Sequence, residues 1–455
     1  MSAMLDAAAG REVPPTLPML AGPPGRPVAW RHGQAVTLAR FLAEAEALAA
    51  RLPAGPGAVN LCEDRYHFLL AFCALLLAGQ VNLLPPSRAP EAVREVLATH
   101  PGAYAIADVL LDPAPPRLVS FRADALDVRA AGAIPDLRAD RIVAIGYTSG
   151  STGVPAANPK TWGSFVAGTA RNAALFATAL GGRDAHVVGT VPAQHMYGME
   201  TTVLLPLLAP FAVHAGRPLF PADVAQALAD LPAPRLLVTT PVHLRALVQD
   251  RAALPPLAAI VSATAPLAAE LAAAAESRFG TAVIEVFGST ETCVIAARRT
   301  AGETDWQLYD GVQLRPQPGG TLVHADWFPE PVLLRDLVEV MPERRFRLCG
   351  RHADLLEIAG KRASLGDLTR RLQALDGVED SVVFQLDADA AGVARLAALV
   401  VAPGRSEAEL LDALRRAVDP VFLPRPLRRV AALPRNETGK LPRARLIAAL
   451  RECDV

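Results

Sequence analysis

The sequence predicts an α/β protein: a large N-terminal domain of layered α/β subdomains with mostly parallel sheets, then a small α+β domain at the C-terminus. Three observations carry that prediction. Short apolar runs at Asp140–Tyr147, His186–Val191, Leu236–Pro241, Ala259–Ala263 and Ala282–Phe287 alternate with helical segments, the pattern of strand-helix-strand units. At 455 residues the chain exceeds what one core usually serves. From about Cys349 the texture changes to dense charge, with strands at Ser381–Leu386 and Arg395–Val401 beside helices at Leu365–Leu375 and Ser406–Val418. The expected division is 1–350 and 351–455, the second piece being of a size typical of an independent domain.

The remaining elements follow in order. Residues up to about Pro24 are rich in Pro, Ala and Gly and read as a loose lead-in. Leu38, Phe41, Leu42, Ala45 and Leu48 recur at helical spacing, predicting a helix over Thr37–Leu52. Leu69–Gly79 is apolar on every face but too short to span a bilayer, so it reads as a buried helix. Val81-Asn-Leu-Leu is a short strand cut off by Pro85 and Pro86. A helix is expected over Thr161–Leu180, directly after a Ser/Thr/Gly loop.

Composition narrows the function. Forty-five basic and 46 acidic residues leave a formal charge of -1, which lacks the basic footprint of a nucleic-acid binder. The five cysteines are odd in number and form no CxxC, pointing to reduced thiols in a cytoplasmic protein rather than disulfides or zinc. The first residues lack the long apolar run of a signal peptide, and no membrane partner is expected.

The loop Tyr147-Thr-Ser-Gly-Ser-Thr-Gly-Val-Pro follows a buried strand and leads to Lys160. Small hydroxyl residues and glycines let backbone and side-chain donors approach phosphate oxygens closely. Ordinary turns use the same residues, and the loop lacks the Gly-Lys-Ser/Thr of a P-loop, so by itself it leaves both readings open. Further segments stand in a fixed order after it. They are His195-Met-Tyr-Gly, Ser262-Ala-Thr-Ala-Pro-Leu, Phe287-Gly-Ser-Thr-Glu-Thr, Arg335-Asp336, Gly350-Arg351 followed by Asp354, Gly360-Lys-Arg362, and Pro434-Arg-Asn-Glu-Thr-Gly-Lys440.

Taken together these segments resemble the signatures of the adenylate-forming superfamily of acyl-CoA synthetases, luciferases and peptide-synthetase adenylation domains, across nearly the whole chain. The resemblance implies ATP and Mg²⁺ as cofactors, a small carboxylic acid as substrate, and the pantetheine thiol of coenzyme A or an acyl carrier protein as acceptor. It assigns Thr148, Ser149, Gly150, Ser151, Thr152, Gly153 and Lys160 to the phosphates, Phe287 to the adenine, Gly288 to the nucleotide site, Thr290 to the α-phosphate, and Asp336 and Arg351 to the ribose. Glu291 is implied as the Mg²⁺ ligand, which suits a hard cation. His195, Gly198 and Ala265 are implied in the acyl pocket, and Lys440, with His195, is implied as catalytic. Family enzymes turn the C-terminal domain about a hinge, here near 351–354, to pass from adenylation to thioester formation.

The chain also departs from the family pattern. Pro155-Ala156 replaces the usual Pro-Lys, leaving Lys160 as the next lysine, expected near the polyphosphate. Ala263 and Thr264 replace two glycines, Ala353 stands two residues beyond the hinge arginine, and Glu357 replaces a common lysine. A catalytically lapsed nucleotide-binding protein is one alternative reading, against which Lys440 and Glu291 are both retained. A luciferase-type oxygenase is another. No acidic residue lies in Val191–Gly198 to hold an ammonium group, which disfavours an amino acid and suits an aryl or aliphatic acid in an apolar pocket. The compact length also resembles small ligases that load hydroxyaryl acids onto carrier proteins.

Overall fold

The computed structural model describes residues 15–148, 156–351, 355–358, 361–386, 395–436 and 439–453. The chain forms two compact units. One comprises the residues up to Glu303 with Asp326–Pro329, the other Thr304–Ala325 with Glu330 onward.

The first unit holds two large sheets. In one, Gly57–Asn60 lies between Val81–Leu84 and Tyr104–Ala107, and Val81–Leu84 pairs in turn with Ile142–Thr148, all parallel. In the other, Ala185–Gly189, Arg235–Thr239, Ala259–Ser262 and Val283–Ser289 are consecutive parallel neighbours. This is the predicted strand-helix alternation. Each of these strands is largely apolar on both faces, as expected where helices cover a parallel sheet.

The helix Arg65–Leu77 shows why its sequence lacks a polar stripe: Arg65 through Leu76 are all buried. Its N-cap Asp64 accepts from the His67 N–H. Arg65 is buried with it, and its guanidinium donates to the carbonyls of Gly189 (2.9 Å) and Val191 (2.8 Å) and to the Thr202 hydroxyl. Burial pulls its pKa down to about 9. The arginine thereby fixes the exit of Ala185–Gly189, where the site residues begin.

One sequence expectation changes. Residues after the Ser/Thr/Gly loop do not enter a helix directly. Ala156–Thr161 is a strand folded back antiparallel on Ile142–Thr148, with Thr148 opposite Ala156 and Lys160 opposite Ala144. Ala156, Ala157, Asn158 and Pro159 carry little strand propensity, so the pairing comes from the tertiary setting. The helix Trp162–Leu180 follows, capped by Thr161 at its start and by left-handed Gly181 at its end.

The second unit contains an antiparallel pair, Asp336–Met341 with Arg345–Arg351, and a three-stranded sheet of Asp380–Gln385, Leu396–Val401 and Leu427–Arg429. Helices Leu365–Gln373 and Glu407–Arg415 pack on that sheet through Leu368, Leu372, Leu410 and Leu414. Ser406 and Glu409 form a reciprocal capping box at the second of these helices. Both strands and both helices that the sequence placed here are present.

Candidate active site

In the first unit a small pocket lies beyond the carboxyl ends of its strands. Pro85 and Pro86 follow Val81–Leu84, Gly146 and Tyr147 lie near the end of Ile142–Thr148, Gln194 to Met196 follow Ala185–Gly189, and Thr290 follows Val283–Ser289. Open α/β sheets bind ligands at this edge. Two absent side chains allow the convergence. A Cβ on Gly146 would come within 2.8 Å of the Thr290 methyl and 3.2 Å of the Met196 Cε. A Cβ on Gly198 would meet the Pro192 carbonyl oxygen at 1.9 Å.

The segment after His195 is helical: Met196–Met199 leads through a wider π segment, Glu200–Leu204, into Leu205–Leu208. Thr201 and Thr202 hydroxyls donate to the carbonyls of Tyr197 and Gly198 at 2.6 Å, engaging acceptors that the helix backbone would use. Such widened turns recur at functional sites. The Tyr197 hydroxyl donates to the Val261 carbonyl at 2.9 Å, tying the segment to the neighbouring strand Ala259–Ser262.

Thr290 and Glu291 sit in a tight turn between two antiparallel strands, Val283–Ser289 and Cys293–Arg298. The Ser289 hydroxyl accepts from the N–H groups of Glu291 and Thr292 at 3.2 Å. Two buried charged residues hold the turn from beneath. The Lys160 ammonium donates to the Glu291 carbonyl at 2.5 Å. The Glu200 carboxylate accepts from the Val294 N–H at 3.1 Å and from the Asn172 amide at 3.2 Å. Burial pushes the Glu200 pKa up to about 7 against those hydrogen bonds and the nearby Lys160 charge, which lower it. The buried Cys293 thiol stands beside the same carboxylate, and its pKa is pushed up to about 12 by burial first and that charge second.

The Glu200 shift has a sign that can be tested. An unfolded glutamate ionises near 4.5, whereas the folded one holds its proton to about pH 7. The stability conferred by the neutral form is complete below pH 4.5 and is lost as pH rises to about 7, on the order of 3 kcal/mol. Glu200→Gln keeps the acceptor but cannot ionise. Its denaturation midpoint relative to wild type should therefore rise between pH 4.5 and 8; an unchanged difference across that range would remove Glu200 from the titration.

Other expected residues are placed as follows. Thr148 ends its strand, while Ser149, Gly150, Ser151, Thr152 and Gly153 lie outside the described residues. His195 and Thr290 share the pocket. Phe287 and Gly288 occupy the strand leading to the turn, Phe287 half-buried and Gly288 exposed. Gly198 is buried under Pro192, and Ala265 is half-buried in the loop after Ala259–Ser262; neither lines the pocket. Lys160 supports the turn through a carbonyl. In the second unit, Asp336 and Arg351 stand directly opposite each other in register across their strand pair. Lys440 is exposed, and its N–H donates to the Asn436 side chain at 2.8 Å. Sequence reading assigned no role to Gln194, Asn172 or Glu200. The signal available was a glutamate inside an apolar run.

Thr264, which stands where the family pattern has a glycine, adopts φ +83°. A β-branched residue there is strained by roughly 1–2 kcal/mol. Thr264→Gly is expected to stabilise the protein by about 1 kcal/mol, measured by urea denaturation. A lower midpoint would show that side-chain contacts outweigh the strain.

A pocket at the carboxyl edge of parallel strands, walled in part by a hydroxyl-bearing turn, is the ligand-binding arrangement of an open α/β enzyme. The family model described as AMP-binding enzyme matches residues 19–320, and the chain belongs to that family, within the adenylate-forming superfamily. It activates a carboxylic acid with ATP as an acyl-adenylate for transfer to a thiol. A 4-coumarate–CoA ligase of Rhodobacter capsulatus is 33% identical over 315 residues, covering 67% of this chain and 76% of that relative. A 4-coumarate–CoA ligase of Halorhodospira halophila is 29% identical over 304 residues, covering 65% and 73%. Among solved structures, ATP-bound MatB from Rhodopseudomonas palustris superposes with a TM-score of 0.75 at 20% identity over 94% of this chain and 96% of that one. The AMP complex of MenE, an O-succinylbenzoate CoA synthetase from Bacillus subtilis, gives 0.76 at 18% over 93% and 95%. At these identities the two structures establish the fold. Among the described residues, no helix is long and apolar enough to cross a membrane.

Proposed function

We propose that the protein is an AMP-forming acid–CoA ligase acting on an aryl carboxylic acid. The acid's carboxylate oxygen attacks the α-phosphorus of ATP and the bond to pyrophosphate breaks. The thiol sulfur then attacks the acyl carbon, the bond to AMP breaks, and the thiol proton leaves to solvent. The observation that carries the reading is the convergence of Thr290 and His195 on one pocket, beside the end of the strand that leads into the phosphate loop.

Two anions meet in the first step, so positive charge and donors must be in place where phosphate charge grows. Lys440 supplies that charge in this reading, Thr290 donates to the α-phosphate, and residues 148–153 and Phe287 hold the nucleotide. Asp336 and Arg351, in register on one strand pair, take the ribose hydroxyls. Within the described residues the Glu291 carboxylate has no recorded hydrogen bond or ion pair, and no cluster of three metal-ligating side chains occurs. That donor set fits Mg²⁺, which is commonly held by one carboxylate together with substrate phosphates. When bound, the ion would neutralise phosphate charge. The functional division is placed between a core ending at 350 and a C-terminal domain from 351 that carries Lys440.

The names of the two curated relatives support a hydroxycinnamate-like acid and coenzyme A. Acid-dependent ATP–pyrophosphate exchange with cinnamate, 4-hydroxybenzoate, malonate and octanoate tests the reading. Exchange with the aryl acids, followed by AMP release with coenzyme A, is expected. Silence with every acid overturns the function, and thioester formation only on a carrier protein overturns the acceptor.

A further inference from the structure

Gln194 is 7% exposed and lines the pocket with Thr290 and His195. Its Nε2 is fully buried and donates to no protein acceptor among the described residues. Buried amide donors in native proteins are almost always paired, because leaving one unmet forfeits its hydration. The backbone that carries Gln194 is fixed on both sides. Arg65 grips the carbonyls of Gly189 and Val191 upstream, and Gly198 lies against the Pro192 carbonyl downstream. A donor so held and so placed is preorganised for an acceptor that arrives from outside the protein.

We propose that the Gln194 amide donates a hydrogen bond to the carboxylate oxygen of the bound acid that does not attack phosphorus, and keeps it as that oxygen becomes the acyl-adenylate carbonyl. This assignment rests on the acid-activating reading above. A neutral donor suits this oxygen: it orients the carboxylate without neutralising the attacking oxygen. When the thiol sulfur adds to the acyl carbon, negative charge moves onto the same oxygen, so the bond strengthens in the second step. Gln194 therefore serves both half-reactions and gains most in thioester formation.

The test compares wild type, Gln194→Leu and Gln194→Glu in the full-length enzyme, using whichever acid of the panel gives the fastest exchange. Gln194→Leu keeps the shape and removes the donors. Its kcat/KM for the acid in pyrophosphate exchange should fall roughly tenfold, with KM for ATP unchanged. Thioester formation from the preformed adenylate should fall further, on the order of a hundredfold. Gln194→Glu should lose more in the first step than Gln194→Leu, because its carboxylate repels the substrate's. The melting temperature of Gln194→Leu should equal or exceed that of wild type, since a buried unmet donor is gone; a purely structural glutamine would lower it. Wild-type exchange together with an unchanged kcat/KM in Gln194→Leu, or a lowered melting temperature that accounts for its activity loss, overturns the proposal alone. Absence of exchange by wild type with every acid overturns the acid-activating reading, and this assignment with it.

Discussion

Lys440→Ala is expected to lower acid-dependent ATP–pyrophosphate exchange by roughly a hundred- to a thousandfold, the scale seen when a preorganised electrostatic contact to a transition state is removed. The structure indicates why the loss should be clean. Lys440 is held through its backbone: its N–H donates to the Asn436 side chain and its carbonyl accepts from the Asn436 N–H, both at 2.8 Å. The Gly439 carbonyl accepts from Arg435 at 2.8 Å, and Arg435 makes a bidentate pair with Asp380. These backbone contacts persist in the variant and the lysine side chain is exposed, so melting close to wild type is expected. Thioester formation from a supplied adenylate should persist, because pyrophosphate is no longer a leaving group there. Equal loss of both half-reactions would contradict the assigned role.

Gly198→Ala is expected to destabilise the first unit by about 3 kcal/mol or more and to abolish exchange. Its added methyl would lie 1.9 Å from the Pro192 carbonyl oxygen and 2.9 Å from the Pro192 carbonyl carbon. Both are backbone atoms, and Arg65 clamps the strand exit just upstream, so the chain cannot yield by a rotamer change. Relief requires moving either the helix or the segment that carries Gln194 and His195. Circular dichroism melting and exchange assays on the same preparation would check both effects. A variant with wild-type stability and activity would show that the 192–198 turn is not fixed as described.

Much of this architecture was legible beforehand because strand-helix alternation depends on local pattern. The strands Ala185–Gly189, Arg235–Thr239 and Ala259–Ser262 are apolar runs bounded by turn residues, and burial on both faces demands that composition. The strand Ala156–Thr161 was not legible: its residues are poor strand formers, and only pairing with Ile142–Thr148 makes them extended. At the site, motif order located Thr290 and His195, which the fold brings to one pocket. Lys160 was expected near the polyphosphate; its described bond is to the Glu291 carbonyl, a contact 131 residues away that no local spacing encodes. Glu200 and Asn172 were invisible for the same reason. Their meaning lies in the Val294 N–H, 94 residues beyond Glu200. The Ser/Thr/Gly loop, residues 149–155, lies outside the described residues.

The Lys160–Glu200 underpinning bears on how this scaffold could be re-engineered. The helix that begins at the pocket carries, within its first two turns, the carboxylate that anchors the opposite wall. The two walls of the pocket are thus not structurally modular here. Transplanting the 194–200 stretch from another ligase without also exchanging position 160 would change the charge beside a buried cation, so the two positions are best exchanged together.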